Sequence, residues 1–131
     1  MTGEPSALLA LARDDLAAAR RDLDANPPRH AVSRAYYATF HAVSAVLVIV
    51  DAPAKSHKGT HSQFHREFVR TGRLPASDGQ VLAALFQLRQ DADYDVGQGV
   101  SMEQAERAVR DAAALVDDLA AWMAADGNNA P

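Results

Sequence analysis

The sequence predicts an all-α protein, an antiparallel up-and-down bundle of four to five helices. Three observations carry this expectation. Apolar residues recur at helical spacing in successive stretches, no stretch shows the competing period of two that a half-buried strand needs, and the connections are short and polar. A length of 131 residues with 48% apolar and 23% charged residues suits one domain with its core at about residues 6–123. Such a chain can bury enough surface to fold without disulfides or a structural metal.

The first helix is expected over residues 6–25, where Leu8, Leu9, Leu11, Ala12, Leu16, Ala19 and Leu23 form an apolar stripe that Asn26, Pro27 and Pro28 end. The second runs from about Arg29 to Val50 and is closed by Asp51, Ala52 and Pro53. Ser56 is the expected N-cap of a third helix that continues to about Thr71, with Gly72 as its stop. Ser77 and Gln80 have capping-box spacing and open a fourth, which gives out near Asp93 and Tyr94 ahead of Gly97 and Gly99. Ser101 and Gln104 repeat that spacing before a last helix that turns Ala105, Val109, Ala112, Leu115, Val116, Leu119 and Trp122 inward. A frayed tail is expected over about residues 125–131.

The second helix carries the most chemistry. At about 100° per residue, His30, Tyr37 and His41 fall within roughly 60° of Arg34, while Val32, Tyr36, Thr39, Val43, Val46, Leu47 and Val50 gather on the opposite side. The expectation is a core stripe on one face and, on the other, a row of donors and titratable groups able to hold a phosphate. The alternative is that Tyr37 and His41 pack at an interface. Arg34 and His41 lie two turns apart, about 10 Å along the axis, so they can bracket a substrate more easily than touch.

A second cluster closes the fourth helix. Arg89 and Asp93 are spaced i,i+4, either as a surface ion pair with Tyr94 over the helix end or as a phosphate clamp whose guanidinium the carboxylate holds ready. Net charge is −4, yet five basic residues face one acid between Lys55 and Arg73, a local basic zone on an acidic body. That zone is either a solvated helix face or a contact for a phosphate backbone. His57, His61 and His65 recur every fourth residue, but no Cys or clustered carboxylate completes a ligand set, so no metal is expected. No nucleophile elbow and no strand-linked phosphate loop occur, and no cofactor is implied. Absent cysteines, the lack of a basic n-region at the start and an apolar run confined to residues 42–50 point to a cytoplasmic protein with no membrane span.

Ser33-Arg34-Ala35-Tyr36-Tyr37-Ala38-Thr39-Phe40-His41, then His57-Lys58-Gly59, then Leu88-Arg89 with Ala92-Asp93-Tyr94 together resemble the HEPN-domain proteins, above all the small stand-alone prokaryotic kind. The likeness covers about residues 6–123 and implies an antiparallel helical bundle, commonly a homodimer. It also implies an RNA-acting or RNA-binding protein, in many members a metal-independent endoribonuclease toxin paired with a minimal nucleotidyltransferase antitoxin. The family's catalytic arginine is followed after four to six residues by histidine, a spacing that Arg34 and His41 meet; beside Arg89, Asp93 and Tyr94 stand where a histidine would be. The resemblance makes His41 the acid or base, Arg34 and Arg89 the phosphate ligands, with Asp93 holding Arg89, Tyr37 and Tyr94 positioning groups, and His57 and Lys58 further contributors. The alternative it leaves is a non-catalytic module that binds a nucleotide or partners a nucleotidyltransferase.

Overall fold

Pro5 opens α1 (Pro5–Ala25), where its missing N–H costs nothing because a first-turn donor has no helical partner. Leu8, Ala12, Asp15, Leu16 and Ala19 face inward along it. The helix stops at Asn26, whose backbone N–H and side-chain amide both donate to Asp22, and Pro27 and Pro28 restart the chain as α2 (Pro28–Ile49). The computed structural model describes residues 3–94 and 99–125; Gly97 of the expected stop after the fourth helix, and the expected tail from 126 onward, lie outside them.

Helix α2 is the central element, with α1, α5, α4 and α3 all packed on it. This corrects the two-faced reading of that helix. His30 and Arg34 are exposed as expected, but Ala38, Phe40, His41 and Ala42 are buried along with the core stripe. A helix walled on every side has no solvent face, so the amphipathic phase survives only in its first two turns. By length and composition α2 could cross a membrane, yet 67% of its most apolar window is already buried by the other helices.

Asp51 adopts the left-handed conformation (φ 58°) after α2, and the Ala52 N–H closes onto Leu47 O at 2.8 Å. Ser56 caps α3 (His57–Phe64), its Oγ accepting the Gly59 N–H at 2.9 Å. The expected helix to Thr71 instead changes winding. His65–Val69 form a π-helical turn in which the Arg70 N–H reaches back to His65 O, and Gly72, at φ 76°, turns the chain. Helix α4 (Ala76–Tyr94) starts one residue before the expected capping box. The Asp78 N–H donates to Pro75 O, so Ser77 is already inside the first turn and is not the cap. At Gly79 a Cβ would come within 3.1 Å of Val69 Cγ2, so glycine lets α4 lie against the π turn. The capping box expected for α5 (Met102–Ala125) does form: Ser101 Oγ accepts the Gln104 N–H at 3.0 Å and Gln104 Oε1 accepts the Ser101 N–H at 2.8 Å.

The core gathers Leu16, Val32, Val43, Val46, Leu82, Leu115, Val116 and Leu119 from four helices. At one end of it Trp122 meets the Phe68 ring edge-on at 4.9 Å, and Phe64 stacks on Phe68. Two acids, Asp15 and Asp78, are buried among the described residues. Asp78 is pushed up to about 7, first by burial and then by the Asp118 carboxyl opposite it.

Candidate functional site

Asp15 interrupts the apolar stripe of α1 and is only 7% exposed. A buried carboxylate needs partners, and α2 supplies them. The His41 Nδ1–H donates to Asp15 Oδ2 at 2.6 Å, and Arg34 Nη1 stands 3.9 Å from Asp15 Oδ1 on the solvent side. A carboxylate only accepts, so this contact fixes which imidazole nitrogen carries the proton and leaves Nε2 of His41 for other chemistry. Arg34 and His41, two turns apart on α2, are thus tied to one carboxylate on α1 that helical spacing within α2 gave no hint of.

One turn along α2 is Tyr37. Its ring centroid lies 6.1 Å from that of His41 and 6.0 Å from that of His57. From α4, Arg89 lays its guanidinium 5.1 Å from the Tyr37 centroid and 5.6 Å from that of Tyr36. Arg89 Nη2 is 3.7 Å from Asp93 Oδ2, while its buried Nε has no hydrogen-bond partner among the described residues. The expected i,i+4 pair therefore forms, and it holds the cation against two aromatic faces with a donor to spare.

Behind Tyr37 lies Tyr36, fully buried. Its hydroxyl meets His57 Nδ1 at 2.8 Å and His61 Nε2 at 3.1 Å. Burial raises the Tyr36 hydroxyl well above the ordinary phenol range. His57 is held below the ordinary imidazole value by burial first and then by the Arg89 charge; His61 is lowered by burial and then by His57. Phe40 stacks on His57 at 4.4 Å and Phe86 presses edge-on to His61 at 4.8 Å, which locks both rings in place.

Of the residues singled out in the sequence, the fold brings Arg34, Tyr37, His41, His57, Arg89 and Asp93 into one neighbourhood at the meeting of α1, α2, α3 and α4. Lys58 is exposed at the start of α3 next to His57. Tyr94 is placed elsewhere. It is 83% exposed and lies beside Gln87, Gln90 and Asp91, on a different face of α4 from Arg89 and Asp93. Sequence reasoning missed Asp15, Tyr36 and His61 as site residues. Asp15 could have been found as the one acid at i+3 from Ala12 and i−4 from Ala19, and Tyr36 as a phenol in a core stripe, where its hydroxyl must find a partner. The partners were also visible, because the i,i+4 spacing of His57 and His61 turns two ring nitrogens to one side of α3.

Residues 6–122 match the HEPN domain family. A protein of Methanocaldococcus jannaschii named "Putative toxin MJ0605" is 33% identical over 116 residues, 88% of this chain and 86% of its own. A second from the same organism, "Putative toxin MJ0142", is 36% identical over 76 residues, 58% of this chain and 52% of its own. A "UPF0332 protein" of Gloeobacter violaceus is 37% identical over 94 residues, 72% of this chain and 75% of its own.

Proposed function

The chain belongs to the HEPN family, and from that premise we propose that it acts on RNA as the toxin of a toxin–antitoxin pair, cleaving the strand without a metal. The observation that carries the reading is the convergence on Tyr37 of the Arg89 guanidinium and the His41 and His57 imidazoles, with Arg34 held to the same Asp15 carboxylate as His41. Arg34 and Arg89 bind the phosphate, and the nucleotide beside it rests on Tyr37. His57, kept neutral by burial and by Arg89, removes the 2′-hydroxyl proton. His41, oriented by Asp15, protonates the leaving 5′-oxygen, and the arginines offset the charge that builds on the phosphorane. Lys58, exposed beside His57, adds positive potential along the strand, and Asp93 holds Arg89. Tyr94, being outside this cluster, serves contact with a partner rather than the scissile phosphate.

The protein works in the cytoplasm as a homodimer, neutralised by an antitoxin of nucleotidyltransferase type. Support comes from the toxin names of two relatives. The test is incubation of the pure protein with total RNA in EDTA. Wild type should cleave, and His41→Ala should bind as wild type but cleave about a hundredfold more slowly. If wild type cleaves nothing, the nuclease reading fails, and binding of a nucleotide or a nucleotidyltransferase would replace it with an interaction module. Sedimentation equilibrium that returns only monomer at tens of micromolar would remove the dimer.

A further inference from the structure

We propose that Tyr36 and His61 form a proton wire behind His57, leading from the candidate site to the cleft between α3 and α4. The inference rests on the reading of His57 as the base. Tyr36 and His61 are positioning residues, since they act through His57 and not on the substrate.

The geometry allows one hydroxyl to join two rings. Tyr36 Oη has a single proton and lies within hydrogen-bond distance of His57 Nδ1 (2.8 Å) and His61 Nε2 (3.1 Å). It must therefore donate to one ring and accept from the other, so the protons on the two imidazoles are opposed. The polarity that suits a base has the His57 Nδ1–H donating to Tyr36 and the Tyr36 O–H donating to His61 Nε2, which leaves His57 Nε2 bare. When His57 Nε2 takes a proton from a 2′-hydroxyl, the Nδ1 proton passes to Tyr36 Oη and the hydroxyl proton passes to His61 Nε2. His61 then releases its Nδ1 proton to water. One proton enters, one leaves, and the three groups end neutral with both rings in the other tautomer.

The exit is present. His61 lines a cleft of about 350 Å³ with Phe64, His65, Val69, Gly79 and Gln80, and neither Tyr37 nor Arg89 is part of that lining. There is also a reason for a wire. His57 faces Tyr36, Tyr37 and His41 on α2, His61 on its own helix and the fixed cation Arg89 on α4. Burial and that cation both oppose a second positive charge on His57, as its lowered pKa records. Passing the proton through a phenol that burial keeps protonated moves the charge to a ring that borders water.

The test reads tautomers and rates separately. In ¹⁵N spectra of the imidazoles, wild type should show His57 protonated at Nδ1 and His61 unprotonated at Nε2. In His61→Phe the Tyr36 hydroxyl has only His57 left, so it should donate to Nδ1 and switch His57 to the Nε2–H tautomer. Tyr36→Phe should uncouple the two rings, lower kcat for RNA about tenfold and leave KM unchanged. Matching protonation of the two Tyr36-facing nitrogens, an Nε2–H tautomer of His57 in wild type, or no change of tautomer in His61→Phe would overturn the wire. Should wild type cleave no RNA while the tautomers alternate and switch as described, the nuclease reading fails and the wire stands. Cleavage without that alternation overturns the wire and leaves the nuclease reading in place.

Discussion

Replacing Asp15 tests the joint that ties α1 to α2 and sets the orientation of His41. Both partners are below 10% exposed and their contact is 2.6 Å. Asp15→Ala leaves a buried imidazole N–H without an acceptor and opens a small void. An orphaned buried donor costs about 1–3 kcal/mol, and breaking a buried charged pair about 3–5, so a loss near 3 kcal/mol is expected. The second contact adds little. Arg34 lies 3.9 Å away with its side chain 57% exposed, and such pairs contribute less than about 1 kcal/mol. Asp15→Asn keeps the shape and an acceptor oxygen, so it should lose only about 1 kcal/mol. Urea titration followed by helical circular dichroism reads these values. With a slope near 2 kcal/mol/M, the Asp15→Ala midpoint should fall by about 1.5 M and that of Asp15→Asn by about 0.5 M. Activity should split the other way. Asn carries no charge, so it no longer supports the imidazolium that His41 must be to protonate the leaving oxygen, and a folded Asp15→Asn protein should cleave RNA about a hundredfold more slowly. An Asp15→Ala protein with the wild-type midpoint would mean that His41 does not depend on this carboxylate.

Val43 is fully buried, so Val43→Asp should unfold the protein, because an unpaired buried carboxylate costs several kcal/mol against a total stability of about 5–15; Arg34→Ala should leave the melting temperature nearly unchanged. Asp78 titrates near 7 in the folded chain against an ordinary value of 3.8. The folded state therefore holds that proton more tightly, and stability should fall as pH rises from about 4 to about 7. Asp78→Asn should abolish that slope and raise the melting temperature at pH 8 but not at pH 4. Once it is gone, the lowered values of His57 and His61 should leave a slope of opposite sign, with stability lost as pH drops below about 6.5.

Most of the fold was legible because its signals are local. The stripe of α1, the Ser101–Gln104 capping box and the Ser56 cap depend on residues within one or two turns of each other, and each formed, save that Leu11 of the stripe is exposed. The departures are tertiary. Helical phase alone gave α2 a polar face, but four helices surround it, so His41 finds a carboxylate where water was expected. The π turn at His65–Val69, which carries the buried Phe68 into the core, had no local signal in the sequence. At the candidate site, the residue types on α2 and α4 were visible, and so was the Arg89–Asp93 pair. What spacing could not supply was the pairing across helices. Asp15 with His41 spans 26 positions, and Tyr36 with His57 and His61 spans 21 and 25.

Whether Arg34 and Arg89 serve one phosphate-binding site is read from the salt dependence of RNA binding. Affinity of a short single-stranded RNA is measured by fluorescence anisotropy over a range of salt concentrations for wild type, Arg34→Ala, Arg89→Ala and the double variant. Each lost phosphate contact should weaken binding for every sequence and reduce the slope of log affinity against log salt by about 0.7, the single-strand value for one counterion. Both single variants should reduce the slope, and the double variant should lose more than either. Wild-type slopes in both single variants would contradict a shared site, and the two arginines would then be bound to Asp15 and Asp93 for structure alone.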